Sequence, residues 1–106
     1  MKIKSIKSFT REFKILSKKY KSLPDDFEVL LYQILEKPHM GIPLGKNCYK
    51  IRLKISSKNS GKSGGARVIT HVYVEGDTVT LLAIYDKSTQ STISDSEILS
   101  RLNEIL

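Results

Sequence analysis

The chain is poor in the residues that build disulfides, metal centres and membrane spans. Its 106 residues include one cysteine, no tryptophan, three prolines and two histidines. The single cysteine, Cys48, excludes an internal disulfide and favours a reducing, cytoplasmic setting. Cys48, His39 and His71 lack the spacing of metal ligands. No apolar run reaches the roughly 18 residues of a membrane span, and the N-terminus lacks a signal-peptide stretch. We therefore expect one cytoplasmic domain over residues 1–106, with no metal, no cofactor and no membrane contact.

Acidic residues are also in the minority, and they are unevenly placed. Lys and Arg number 18 and Asp and Glu number 11, which gives a net charge of +7. Residues 1–57 carry 13 basic and 5 acidic groups, whereas residues 58–106 carry 5 and 6. The segment from Lys46 to Arg67 holds seven cations and no acid. A basic balance in so small a domain indicates an anionic partner, and nucleic acid is the first candidate.

Two helices are predicted near the N-terminus, after a short strand over Lys2–Lys7. Apolar residues at positions 9, 13, 16 and 20 form one helical stripe, with Ser8 as its N-cap. Ser22, Pro24 and two acids open a second helix, which Pro38 ends. Because the connection between the helices is short, we expect an antiparallel helical hairpin. Glycine and proline then predict a loop over Pro38–Gly45.

The apolar period changes to two after residue 48, which is typical of strands. Apolar residues 49, 51, 53 and 55 alternate with Lys50, Arg52 and Lys54. Further strands are predicted over Ala66–Val74 and Thr78–Tyr85, and Ser94–Glu97 reads as the capping box of a final helix. The order β-α-α-β-β-β-α predicts an α+β fold, in which the helical hairpin packs on one face of a mainly antiparallel sheet and a short helix closes the chain.

The second face of this sheet is the predicted functional surface. Alternation places six side chains on it and leaves them open to water, namely Lys50, Arg52, Lys54, Arg67, His71 and Tyr73. Lysine and arginine neutralise phosphates, and an exposed Tyr49 or Tyr73 can stack on a base. Metal-free RNA cleavage needs a proton acceptor and cations that hold transition-state charge. His71 has a suitable intrinsic pKa, although a surface or sheet-packing histidine is the favoured interpretation from the residues alone.

Two other features of the sequence give little evidence of a functional site. Gly61, Lys62 and Ser63 form a GKS string that lacks the spacing of a phosphate-binding P-loop and leads into a strand rather than a helix. Cys48 opens a strand, where a packing role is expected instead of a nucleophilic one.

Four segments resemble the RelE/ParE toxin superfamily, and within it the HigB-like members. These are Phe13–Tyr20, Cys48–Leu53, the KSGGARVI string that begins at Lys62, and Leu82–Lys87. The resemblance covers about residues 4–102. It implies a RelE-like fold and the toxin half of a bacterial type II toxin–antitoxin pair. RelE-like members cut mRNA in the ribosomal A site without a metal, and an antitoxin wraps around them in a toxin–antitoxin hetero-oligomer.

The resemblance also implies roles for single residues. Lys50 and Arg52 match the cations of the family's strand, and Arg67 matches the arginine that opens the next strand. Lys87 lies near the position at which the family has another cation after the last strand. With His71, these form the expected catalytic set. We assign RNA contacts to the remaining basic and aromatic residues of this region, which are Lys46, Lys54, Lys58, Lys62, Tyr73 and Tyr85.

The chain departs from the family at the C-terminal tyrosine that helps RelE to activate the 2′-hydroxyl. Residues 88–94 contain no tyrosine. Either His71, Tyr85 or Lys87 therefore takes the proton-transfer role, or the protein cleaves RNA poorly. ParE-like relatives share the fold and inhibit DNA gyrase, so a gyrase inhibitor and a non-catalytic RNA- or protein-binding relative are the alternatives to a ribosome-dependent endoribonuclease.

Overall fold

The computed structural model of the chain describes residues 1–58, 64–73, 75 and 77–105. Across these residues the order of elements is β1 (Lys2–Ser5), α1 (Lys7–Lys19), α2 (Leu23–Glu36), β2 (Ile42–Gly45), β3 (Cys48–Leu53), a 3₁₀ turn (Ser56–Lys58), β4 (Ala66–Tyr73), β5 (Thr78–Asp86) and α3 (Asp95–Leu102). The predicted α+β class, the helical hairpin and the short C-terminal helix are confirmed. None of these helices is long and apolar enough to cross a membrane, as far as the described residues extend.

The helix boundaries follow the predicted start and stop signals at α2 and α3 but not at α1. Ser22 precedes α2, Pro24 lies in its first turn, and the helix ends two residues before Pro38. The Ser94 hydroxyl accepts a hydrogen bond from the backbone N–H of Glu97, as a capping residue does. The prediction of Ser8 as the α1 N-cap is wrong, because Ile6 holds that position.

The five strands form one sheet in the order β1-β5-β4-β3-β2. β1 pairs with β5 in parallel, and all other pairs are antiparallel. β2 was predicted as part of a loop, and that prediction is wrong. Its four residues are all exposed and include Pro43, so this edge strand has no buried face that could produce an alternating pattern. Gly41, just before β2, has a φ of +103°, and a Cβ there would lie 2.6 Å from the Lys50 carbonyl oxygen.

The main core lies between the two N-terminal helices and one face of the sheet. Phe9, Phe13 and Phe27 form an aromatic cluster with ring centroids 5.0–6.0 Å apart. Below them, Val68 and Val72 of β4 are buried, as the alternation along this strand predicts. Each fully buried aliphatic or aromatic side chain contributes about 1.5–3 kcal/mol.

The opposite face of the sheet is only partly open, which corrects the expectation that all of it meets water. Ile69 of β4 and Ala83 of β5 lie on this face in register, and both are buried. The chain that follows β5 also approaches this face, since Thr92 lies at the Tyr85 hydroxyl and Ile105 lines a cavity with Thr80. β5 is apolar on both faces because helices from both ends of the chain pack against it.

The C-terminal part of β5 extends beyond the end of β1, so its edge has no strand partner. An ion pair lies against this unpaired edge. Glu12 of α1 accepts hydrogen bonds from the Ile84 backbone N–H at 3.2 Å and from Arg101 of α3 at 2.7 and 2.8 Å. Arg101 also donates to the Leu82 carbonyl oxygen at 2.9 Å. The hydrogen bond to Glu12 is the main cause of a raised pKa at Arg101. This pair therefore satisfies backbone groups that a longer β1 would have paired.

Candidate nucleic-acid interface

Three cross-strand rows bring the predicted catalytic residues onto one face of the sheet. Arg52, Arg67 and Tyr85 form the first row, Lys50 lies in the second beside the two covered apolar residues, and His71 lies in the third. Rows that are two residues apart are separated by about 6.6 Å along the strands. Lys50 is therefore between the two arginines on one side and His71 on the other, within reach of a single extended phosphodiester chain.

The cations of this face differ sharply in accessibility. Arg52 is exposed and Lys50 is half-buried, whereas Arg67 is only 5% exposed. One Arg67 N–H donates to the Ala66 carbonyl oxygen at 3.1 Å, and its charge acts on the Tyr85 hydroxyl. A ligand can therefore meet Arg52 and Lys50 directly. The buried Arg67 is not open to direct contact.

His71 is the titratable group of this face that its surroundings keep neutral, and a neutral ring has a nitrogen that can accept a proton. Its Nδ1 is buried and forms no hydrogen bond within the described part of the chain. Burial lowers the pKa of His71, so the ring is neutral at pH 7. Its partner across the ladder, Cys48, is 1% exposed, and burial raises the pKa of that thiol. Cys48 is thus the packing residue that the sequence predicted, and it is not activated as a nucleophile.

Tyr85 and Lys87 lie at the end of this face where Arg67 is found. Burial raises the pKa of the Tyr85 hydroxyl, which therefore stays protonated and can donate a proton but not accept one near pH 7. The Lys87 N–H donates to the Gly65 carbonyl oxygen, and its ammonium donates to the Ser91 carbonyl oxygen at 3.2 Å. Lys87 thus links the segment after β5 to Gly65, just before β4, and to Ser91.

Lys58 is a predicted RNA-contacting residue that the structure places in a buried ionic cluster. Its ammonium pairs with Asp86 and donates to the Gly64 carbonyl oxygen and the Ser88 hydroxyl. Asp86, whose side chain is 2% exposed, also accepts a hydrogen bond from the Tyr20 hydroxyl at 2.6 Å. This cluster lies on the helix side of the sheet. The Lys58 ammonium is therefore engaged in contacts within the fold and is not displayed on the predicted RNA-binding face. No sequence pattern points to this role of Asp86, since a strand-terminal aspartate normally faces solvent.

The remaining predicted RNA contacts lie toward the two ends of the sheet. Lys54 follows the end of β3 and acts electrostatically on Asp26 at the α2 side. Lys62 lies outside the described residues. At the opposite end, Lys46 and Tyr73 are both exposed. Tyr49, by contrast, lies on the helix side, where its ring meets His39 edge-on at 5.6 Å.

Comparison with known proteins identifies the fold through solved structures. No protein-family model and no curated protein matches the chain. A mutant of the E. coli toxin RelE in the free state, with two arginines replaced by alanine, aligns with a TM-score of 0.65 and 18% identity over 99% of this chain and 97% of that chain. The isolated E. coli RelE toxin aligns with a TM-score of 0.61 and 18% identity over 99% and 98% of the two chains. The same mutant in complex with an antitoxin RelBc peptide gives 0.60 and 19% over 95% and 92%. The chain therefore has the RelE fold.

Proposed function

We propose that this chain is the toxin of a type II toxin–antitoxin pair and that it cuts mRNA on the ribosome, in the cytoplasm, without a metal. The alignment of Lys50, Arg52, Arg67 and His71 on one face of a RelE fold carries this proposal. Full-length similarity to a toxin that has been solved with its antitoxin peptide supports a protein antitoxin as partner. The expected assembly is a toxin–antitoxin hetero-oligomer.

The chemistry follows from the charges and protonation states of the face. His71 takes the proton of a ribose 2′-hydroxyl, and the 2′-oxygen attacks the adjacent phosphorus. The bond from phosphorus to the 5′-oxygen breaks, which leaves a 2′,3′-cyclic phosphate and a 5′-hydroxyl. Lys50 and Arg52, together with Arg67 once it becomes accessible, hold the negative charge that develops on the phosphate oxygens. Tyr85, which stays protonated, is the group suited to give a proton to the leaving oxygen once Thr92 has moved away from its hydroxyl.

A non-catalytic binding protein is the second candidate, and a specific observation favours it. Arg67 is only 5% exposed, and residues 88–94 contain no tyrosine. If Arg67 stays buried, the half-buried Lys50 and the exposed Arg52 can bind a phosphate, but the arginine pair is incomplete. The protein would then bind RNA or a ribosome without cutting it.

The decisive experiment incubates purified protein with programmed ribosomes and follows the mRNA by primer extension. We expect cleavage by the wild type, and a loss of about 100-fold or more in rate for Lys50→Ala and for Arg67→Ala. Lys14→Ala is the matched control, since it removes an exposed cation from α1, on the far side of the sheet. It should cleave at the wild-type rate.

Intact mRNA with the wild type would contradict the nuclease proposal. Ribosome binding that Lys50→Ala weakens would then support the binding candidate. Inhibition of gyrase supercoiling with RNA left intact would instead indicate activity of the ParE kind.

A further inference from the structure

The far end of the same sheet face carries an exposed aromatic ring that the cleavage chemistry does not use. Tyr73 is 53% exposed at the end of β4, whereas Tyr85 at the other end of the face is 6% exposed. Its neighbour across the ladder is Thr78, a small residue that leaves the ring uncovered. A large aromatic side chain left open on a basic face is available for contact with a flat ligand.

Lys46 supplies a cation at this end of the face. Lys46 and Asn47 form a tight turn before β3, with φ values of 54° and 61°. The Asn47 carbonyl oxygen accepts a hydrogen bond from the Val72 N–H at 2.9 Å, which fixes the turn against the end of β4. Since Lys46 precedes Asn47 and Tyr73 follows Val72, this hydrogen bond places the turn that carries Lys46 at the end of the sheet where Tyr73 lies. An ammonium group and an open aromatic ring are thus found at the same end of the sheet.

Tyr73 is separated from the arginine row by the length of β4. Tyr73 follows Arg67 by six positions, which corresponds to about 20 Å in a strand. His71 and Lys50 occupy the interval on the same face. A single-stranded nucleic acid that lies along the strands therefore meets the cleavage residues at one end and the Tyr73 ring several nucleotides away.

We propose that Tyr73 and Lys46 form a base-stacking subsite for single-stranded RNA, in which the ring stacks on a base and the ammonium binds the adjacent phosphate. This proposal rests on the proposed function only for the choice of RNA as ligand. Stacking on an aromatic ring tolerates every base, so the subsite contributes affinity and register rather than sequence preference. The subsite touches no reacting atom.

The test measures binding of a fluorescein-labelled single-stranded RNA by anisotropy at low salt. We expect Tyr73→Ala to weaken binding about 5- to 150-fold, which corresponds to the stacking contribution of one base. Tyr73→Phe keeps the ring and should bind within about twofold of the wild type. Tyr32→Ala is the matched control, because Tyr32 is 64% exposed on α2, on the other side of the molecule. It should bind like the wild type.

A second ligand separates stacking from other contributions of the ring. On an oligomer of the same length that carries abasic sites, Tyr73→Ala and the wild type should bind equally. Wild-type affinity of Tyr73→Ala for normal RNA, equal losses in Tyr73→Phe and Tyr73→Ala, or no RNA binding by the wild type would each overturn the subsite. The ribosome assay tests cleavage independently. RNA binding that depends on Tyr73, with mRNA left intact, would refute only the nuclease, whereas cleavage with no effect of Tyr73→Ala would refute only the subsite.

Discussion

Asp86→Asn is expected to remove a large part of the folding stability. The Asp86 carboxylate is buried and accepts hydrogen bonds from Lys58, from Tyr20 and from the backbone and hydroxyl of Ser88. The amide removes the negative charge and leaves the Lys58 ammonium, 15% exposed, without its counter-ion. Breaking a buried pair by removal of one partner costs about 3–5 kcal/mol. A domain of this size has a total stability of about 5–15 kcal/mol, and a loss of 3 kcal/mol lowers its Tm by roughly 12 °C or more.

Urea unfolding followed by far-UV circular dichroism measures this loss, since the chain has no tryptophan to report by fluorescence. Asp77→Asn is the control: Asp77 is exposed and pairs with the N-terminal amine, so its loss should cost no more than about 1 kcal/mol. A cost below about 1 kcal/mol for Asp86→Asn would refute the reasoning. Lys58 would then be free of its partner in solution and available to RNA, as the sequence suggested.

The same cluster predicts how stability depends on pH. Hydrogen bonds from Lys58, Tyr20 and Ser88 outweigh the opposing effect of burial and hold the pKa of Asp86 well below its usual range. A carboxyl with a depressed folded-state pKa contributes stability above its unfolded pKa of about 3.9, and that contribution declines as the pH falls from about 5. The difference in unfolding free energy between the wild type and Asp86→Asn should therefore be largest at pH 7 and should shrink by pH 3. A constant difference would contradict the assigned charge state.

Three further predictions follow from single contacts. Arg101→Met should lower the free energy of unfolding by about 3 kcal/mol, since it leaves Glu12 and the Leu82 carbonyl without their donor, and urea unfolding measures the loss. Gly65→Ala should prevent stable folding, because a Cβ would lie 2.3 Å from the Leu53 carbonyl oxygen; a wild-type Tm would contradict it. If His71 is the base, the acid limb of the cleavage rate should have an apparent pKa below 6.5, as its burial requires, and His71→Gln should abolish that limb.

The faces of the sheet were predictable from sequence because one physical rule governs them. Side chains alternate along a strand, so Lys50 and Arg52 must share a face once Tyr49 and Ile51 are assigned to the other. Antiparallel pairing with β4 then brings Arg67 into the same row. This alternation of side chains no longer applies beyond the end of a strand. β3 stops at Leu53 and the 3₁₀ turn reverses the chain, so Lys58 reaches the helix side, where a buried aspartate from a distant segment holds it.

The accessibility of this face, in contrast, depends on contacts between distant segments of the chain, which a local sequence pattern cannot predict. β5 is apolar on both sides, and this pattern indicates a central strand without revealing which segment covers its outer face. The segment after β5 is polar over residues 88–92 and resembles a solvent-exposed loop. It nevertheless places Thr92 at Tyr85, and Arg67 in the same row is only 5% exposed. The accessibility of Arg67 therefore decides between the two proposed functions, because cleavage needs both arginines while binding needs only the exposed one.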